Sequence, residues 1–178
     1  MNKIQERTVE NMIINYPPLS MKVDPYVVNN PGETKNAYTI TEADKAESKL
    51  NFTDKYSIDD LKSSLKGYDF TSVTTDELVE VGAIFFEKGL IDSGVFGFFI
   101  SGNMASDENG HQAARNVKYN AIAMFNQMFE ERLAISGSYS NPGFHEITKD
   151  LLRTNHTIAA LSFFAGSDQN DLSVSIKA

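Results

Sequence analysis

The apolar residues recur with the period of a helix from residue 57 onward, and they first predict a short helix that ends near Gly67. Ser57 is suited to cap this helix, because its hydroxyl can accept a hydrogen bond from an amide of the first turn. Acidic residues at 59 and 60 favour the positive end of the helix dipole. The apolar positions lie three and four residues apart, as a helix face requires: Ile58, Leu61 and Leu65.

The next stretch carries a complete set of start and stop signals for a second helix. Thr74 and Glu77 have the spacing of a capping box, and Gly89 after Lys88 is typical of a left-handed C-cap. The predicted buried side consists of Leu78, Val81, Gly82 and Phe85. We therefore predict a helix from Thr74 to Lys88.

Two longer runs with helical spacing predict helices over 107–135 and 143–165. Asn141 and Pro142 suit the N-cap and first turn of the second of these helices, and Gly166 is expected to end it. Because the connection between the two is short, we expect an antiparallel hairpin. This pair is predicted to be the spine of the fold.

The segment GFFISGNM, residues 97–104, has glycines at the spacing of a Walker phosphate-binding loop. Asn103 and Met104 stand where that loop needs a lysine and a hydroxyl residue, so both phosphate and magnesium contacts are lost. We interpret the segment as a helix end or a tight apolar turn that joins two helices. The phenylalanines around it are expected to pack inward: Phe96, Phe98 and Phe99.

The first fifty residues differ in composition from the rest, since they hold four of the five prolines. They are predicted to form an arm, residues 1–50, that is partly extended or flexible. A helical domain over residues 51–178 is predicted to follow it. Within the arm, the pattern indicates a short helix over 3–14 that ends before Pro17.

A further helix is predicted over 41–50, with Thr39 and Glu42 as its capping box. The tail alternates Leu172, Val174 and Ile176, which indicates a strand that could pair with the arm. The predicted fold class is mainly α. It is a small helical bundle built on the antiparallel pair, with an extended N-terminal arm and, optionally, a minor β element.

Composition and charge narrow the function classes. The chain has no cysteine, which excludes disulfides, thiolate metal sites and a cysteine nucleophile. The net charge is −8, and residues 67–115 carry eight acids against two basic residues, so nucleic acid is not an expected partner. No run approaches the ~20 apolar residues of a membrane span. The N-terminus lacks the apolar centre of a signal peptide, so a cytoplasmic location without membrane association is expected.

Two of the three histidines, His145 and His156, lie eleven residues apart on the predicted last helix. That spacing separates them by about 16 Å along the axis, so they cannot share one metal ion. A zinc-binding pair on a helix needs two histidines four residues apart, as in His-Glu-x-x-His. His145 and Glu146 begin this pattern, but the position four residues after His145 is Lys149.

The third histidine, His111, has Asp107 and Arg115 four residues to either side, which predicts a charge ladder along a helix. Asn155 begins a glycosylation sequon, which has a role only in a secretory pathway. No residue is predicted to be catalytic, to bind a cofactor or to bind a metal, and no cofactor is expected.

Residues 68–92 begin with Tyr-Asp-Phe-Thr-x-x-Thr-x-x-Glu-Leu and end with Gly-Leu-Ile-Asp. This segment resembles a motif of small uncharacterised bacterial proteins. The resemblance covers about 25 residues, implies a bacterial origin and a helix–turn unit, and assigns no functional residue.

Three functions stay open from the sequence. The leading hypothesis is a non-enzymatic protein–protein interaction or self-associating module, since no catalytic constellation is found. The long predicted helix offers a broad apolar side for a helix partner or second subunit, formed by Met124, Phe125, Met128 and Phe129. The alternatives are a hydrolytic or metal-assisted enzyme with a dispersed site (His111, His145, Glu146 or His156) and a protein exported by a specialised secretion apparatus.

Overall fold

A computed structural model describes residues 19–52, 56–135 and 141–174, with the side chains of 167–174 outside this description. The described chain is mainly helical and contains isolated β-bridges but no strand, which confirms the predicted fold class. Its helices are α1 (Ala43–Glu47), α2 (Ile58–Leu65), α3 (Thr75–Glu87), α4 (Ser93–Ser101), α5 (Ala121–Ala134) and α6 (Pro142–Val174).

The last helix, α6, is the centre of the packing. It contacts α1, α2, α4 and α5, whereas α3 packs on α4. Arg132 near the end of α5 donates to Thr148 near the start of α6, while Asn155 further along α6 donates to Phe125 earlier in α5. These contacts run in opposite directions along the two helices, so the predicted antiparallel pair is present.

Phenylalanine supplies the largest buried side chains of the core, as expected for a chain without tryptophan. The Phe99 and Phe125 rings stack with centroids 6.3 Å apart and join α4 to α5. The largest fully buried aromatic side chains are Phe70, Phe85, Phe99, Phe125 and Phe164.

The predicted starts of α2 and α3 are confirmed in atomic detail. The Ser57 hydroxyl accepts from the Asp60 amide at 3.1 Å, and the Asp60 carboxylate accepts from the Ser57 amide at 3.1 Å. In α3, Thr74 and Glu77 exchange the same pair of hydrogen bonds at 2.7 and 3.1 Å. Gly89 has φ of 76°, which is the left-handed conformation predicted for it.

Of the two readings of GFFISGNM, the helix end is present and a turn along the whole segment is not, because α4 runs through it to Ser101. Asp92 begins this helix by accepting from the amides of Gly94 and Val95. Gly102, with φ of 50°, begins the turn that ends the helix, and the Met104 amide closes this turn by donating to the Ser101 carbonyl oxygen at 2.9 Å. The helix is apolar on nearly every side, and so its sequence has little amphipathic pattern to reveal it.

The predicted helix over 107–135 was wrong in its first half, since helix begins only at Ala121. Asp107 accepts from the amides of Asn109 and His111 and forms a turn instead. Ala114 has φ of 52°, a left-handed value that cannot occur inside an α-helix. The side chain of Asn120 caps α5 by accepting from the Ala123 amide at 3.0 Å.

The last helix begins as predicted, with the Asn141 side chain accepting from the Gly143 amide at 2.9 Å. It does not end at Gly166 but continues to Val174, so the predicted strand at Leu172 and Val174 was wrong. A glycine inside a helix costs only about 1 kcal/mol, which a long packed helix can absorb. Ile176 lies outside the described residues.

The predicted helix over 41–50 is present as the shorter α1, but its predicted capping box is absent. Glu42 is the N-cap without a side-chain hydrogen bond, and the Thr39 hydroxyl accepts from the Asn36 amide instead. The predicted helix over 3–14 lies outside the described residues.

Residues 19–40 of the N-terminal arm cross the helices as an extended segment, which we call the strap. Tyr26 in the strap donates to the Glu131 carboxylate at 2.7 Å. The Asn29 amide donates to the Gln127 side chain at 2.8 Å. The strap therefore lies along α5.

Candidate functional site

The three histidines have separate surroundings. His111 lies in a loop with its Nδ1 atom 3.4 Å from Asp107, so the predicted ladder along a helix is absent, and Arg115 pairs with Asp76 instead. His145 is exposed near the start of α6. His156 is partly buried, with its ring 5.2 Å from that of Tyr38.

The described residues lack both a metal-binding cluster and a membrane-spanning helix. They contain no group of three His, Asp or Glu side chains placed to hold a metal ion. Within the same residues, no helix is both long enough and apolar enough to cross a membrane.

The apolar side of α5 that was predicted as a partner surface lies inside the molecule. Met124 and Phe125 are fully buried, and Met128 and Phe129 are partly buried against the core. The Tyr38 ring of the strap covers Phe129, at 6.1 Å between centroids. This surface is occupied within the chain.

The start of the strap, residues 19–24, is an extended segment that pairs with the rest of the described chain along one side only, and we call it the edge segment. The amides of Met21 and Val23 donate to the carbonyl oxygens of Glu108 and Ser106, at 3.2 and 3.0 Å. The Ser106 amide donates back to Val23 at 2.9 Å. The edge segment therefore runs antiparallel to residues 106–108, and its apolar side chains are exposed.

The strap and the helices enclose a cleft of about 380 Å³. One wall is the strap around Tyr38 and Ile40, and the other consists of α6 with Ile122 of α5. The described part of its lining contains no Asp, Glu, Lys, Arg or His. It comprises Thr34, Asn36, Tyr38, Thr39, Ile40, Ile122, Asn155, Ile158, Ala159, Ser162, Phe163 and Gly166.

Asn120 holds the strap wall of the cleft in place. Its side-chain amide donates to the carbonyl oxygens of Pro31 and Glu33, at 3.0 and 2.6 Å. Beyond this point, the Asn36 side chain accepts from the Tyr38 amide at 3.0 Å and forms a tight turn. The position of Tyr38 is thus set by local hydrogen bonds and by the helices behind it.

Burial shifts the pKa values of two side chains that meet where the strap contacts α6, Tyr38 of the strap and His156 of α6. The pKa of Tyr38 is raised by burial and, to a smaller degree, by the negative charge of Glu130. The pKa of His156 is lowered by burial and by the positive charge of Lys49. Both groups are therefore favoured in their neutral forms at neutral pH.

Asn155 is the buried polar group of the cleft, with 1% of its surface exposed. Its side-chain amide donates to the carbonyl oxygens of Phe125 and Leu151, both at 3.0 Å. Its own carbonyl oxygen accepts no hydrogen bond from any residue that the structure describes. Because Asn155 is buried, its sequon is closed to glycosylation in the folded chain.

Sequence reasoning did not find the cleft, because its two walls come from segments more than eighty residues apart. One signal was available: Asn155 occupies the apolar side of α6 between Leu151 and Ile158. A polar residue in a buried stripe indicates a specific hydrogen-bonding task.

Comparisons with protein-family models, with curated proteins and with solved structures found no match to this chain.

Proposed function

We propose that the chain is a non-enzymatic protein–protein interaction module, and that its partner along the edge segment is a second copy of itself. The observation that carries the proposal is an exposed row of apolar side chains at alternate positions. Leu19, Met21 and Val23 have 92%, 62% and 52% of their surfaces exposed. Contiguous exposed apolar positions favour an interaction surface.

The backbone of the edge segment supports pairing with another strand. Met21 and Val23 direct their amides toward residues 106–108. In an extended chain the backbone groups of alternate residues point to opposite sides, so Lys22 and Asp24 direct theirs outward. The Lys22 amide donates there to the hydroxyl of Ser20 in the same segment, at 3.3 Å, a local bond that an added strand would replace. An edge with outward backbone groups and exposed apolar side chains is a template for strand addition.

Charge complementarity favours a second copy as the added strand. In a two-fold antiparallel pair centred on Val23, Lys22 of each copy lies opposite Asp24 of the other. Pro25 then lies opposite Met21 at a position where the pair needs no amide donor, so the proline is tolerated. Within one chain Lys22 and Asp24 pair with each other at 3.2 Å. In the dimer each side chain would pair instead with its opposite residue in the other copy.

A charge-swap series with size-exclusion chromatography and light scattering tests the proposal. Wild type should associate as concentration rises. Lys22→Asp or Asp24→Lys places like charges opposite each other twice. Each variant should weaken association by roughly two- to thirtyfold, since two cross-strand pairs of about 0.2–1 kcal/mol each are lost. The double variant restores opposite charges and should restore association.

Two results would overturn self-association. One is a monomer at every concentration reached. The other is equal association of the two single variants and wild type. Thermal unfolding of each variant at low concentration serves as the control that the monomer is intact.

We also propose that the protein acts in the bacterial cytoplasm. The support for a bacterial setting is the resemblance of the helix–turn unit at 68–92 to a motif of small uncharacterised bacterial proteins. Fractionation of an expressing bacterium should place the intact chain in the cytoplasmic fraction, and its accumulation in the culture supernatant would contradict the proposal.

A further inference from the structure

We infer that the cleft between the strap and α6 binds an uncharged small molecule that carries an apolar ring and a hydrogen-bond donor. This inference is independent of the edge segment, because it rests on a different surface. A volume of about 380 Å³ lies within the range of about 300–1,000 Å³ that small-molecule sites occupy.

Among the side chains that the structure describes, no carboxylate, ammonium, guanidinium or imidazole group lines the cleft. Burial further favours the neutral form of Tyr38 by raising its pKa. A charged ligand would lose its hydration without gaining a partner of opposite charge, which is strongly unfavourable. A neutral ligand avoids this cost.

The apolar walls select a flat or compact hydrophobic body. Ile122, Ile158 and Ala159 form the floor, and they are almost fully buried by the rest of the chain. Ile40 and Phe163 flank this floor from the strap and from α6. A ring placed among them would remove further apolar surface from water, which is the main source of affinity for such ligands.

The hydrogen-bonding requirement comes from Asn155. Both of its amide hydrogens are committed to backbone carbonyl oxygens, so its side chain can offer the ligand only its carbonyl oxygen. An N–H or O–H group on the ligand would satisfy this acceptor. A ligand with acceptors alone would leave it unsatisfied, which costs about 1–3 kcal/mol.

Four matched probes test the inference on the full chain: benzamide, methyl benzoate, benzoate and benzylammonium. They share one ring and differ in charge and in donor groups. Benzamide has about nine non-hydrogen atoms and should bind with a Kd of about 1 mM or tighter. Its addition should shift the amide NMR signals of Tyr38, Ala159 and Ser162.

The other three probes should bind at least about tenfold more weakly, for lack of a donor or because of their charge. Ala159→Leu should abolish benzamide binding by filling the floor, whereas Ala134→Leu, at an exposed position of α5, should leave it unchanged. Equal binding of methyl benzoate, benzoate or benzylammonium, no benzamide binding, or undiminished binding to the Ala159→Leu variant would each overturn the inference. Because Asn155 also ties α6 to α5, the test leaves it unaltered.

Discussion

The side chain of Thr75 occupies the space that a β-carbon at position 102 would need. Thr75 also accepts from the Asn103 amide at 3.3 Å, so the first turn of α3 lies directly against the turn that ends α4. Gly102 adopts its left-handed φ of 50° at this contact. The glycine is therefore required by both backbone conformation and packing.

We expect Gly102→Ala to destabilise the fold by about 2–4 kcal/mol, from a positive φ and a steric clash acting together. Gly97→Ala is the matched control. Gly97 is exposed within α4, and a β-carbon there would meet no atom within 4 Å. That variant should gain about 1 kcal/mol through helix propensity. Urea unfolding measures both effects, and equal stabilities would contradict the prediction.

Asn120 performs two tasks that one substitution can separate. Asn120→Asp keeps the oxygen that caps α5 but removes the donor that holds the strap at Pro31 and Glu33. We expect faster hydrogen exchange at strap amides such as Asn36, with little change at Ala123. Asn120→Ala removes both tasks and should accelerate exchange at both places. A uniform response to the two variants would contradict this separation.

The capping box of α3 gives a prediction for stability. Thr74→Ala should cost about 0.5–2 kcal/mol, because the Glu77 amide loses its acceptor at the start of the helix. Thr71→Ala, at a turn outside the helix, is the control for loss of a threonine hydroxyl. Equal unfolding midpoints of the two variants would show that the cap is not responsible.

Glu77 adds a pH dependence to the same cap. Its pKa is lowered from 4.5, first by the hydrogen bond from the Thr74 amide. A carboxyl group whose pKa is lowered by folding stabilises the fold above its unfolded pKa, and this contribution is lost as pH falls through the folded value. From about pH 6 to about pH 3, wild type should therefore lose more stability than Glu77→Gln does. Parallel losses in acid unfolding curves would refute this.

His156 should report the charge of Lys49. The pKa of His156 is lowered by burial and by that charge, so Lys49→Gln should raise the histidine pKa while burial still keeps it below 6.5. NMR titration of the imidazole protons measures the change. Lys35→Gln removes an equal charge from an exposed strap position and is the control. An unchanged His156 pKa in the Lys49 variant would contradict the assigned cause.

The parts of the fold that could be predicted from sequence are those set by neighbouring residues. Ser57 with Asp60, and Thr74 with Glu77, form their caps within one turn, so local pattern sufficed. The full extent of helix α4 was not predicted, because its apolar residues surround the helix axis and its glycines are typical of a turn. The sequence carried one clear sign of this helix, its N-cap Asp92. A search for periodic apolar residues does not detect a polar cap.

Residues 107–120 were wrongly predicted to be helical because their apolar residues have helical spacing although they form no helix. The spacing of Ala114, Val117 and Ala121 imitates a helix, yet Val117 is half exposed and Ala114 has a left-handed φ. Turn chemistry at Asp107 and the N-cap at Asn120 determined the outcome. The cleft could not be predicted at all, because it forms only when the strap meets α6.

The packing of α1 and α2 on α6 has a consequence for synthesis of the chain. Both early helices make their main helix contacts with α6, which begins only at Pro142. As the polypeptide leaves the ribosome, roughly 75–95 further residues are translated after Ala46, Leu61 and Leu65 before α6 begins, so the burial of these side chains is completed late. Arrival of the last helix is thus the step that commits the nascent chain to its native core.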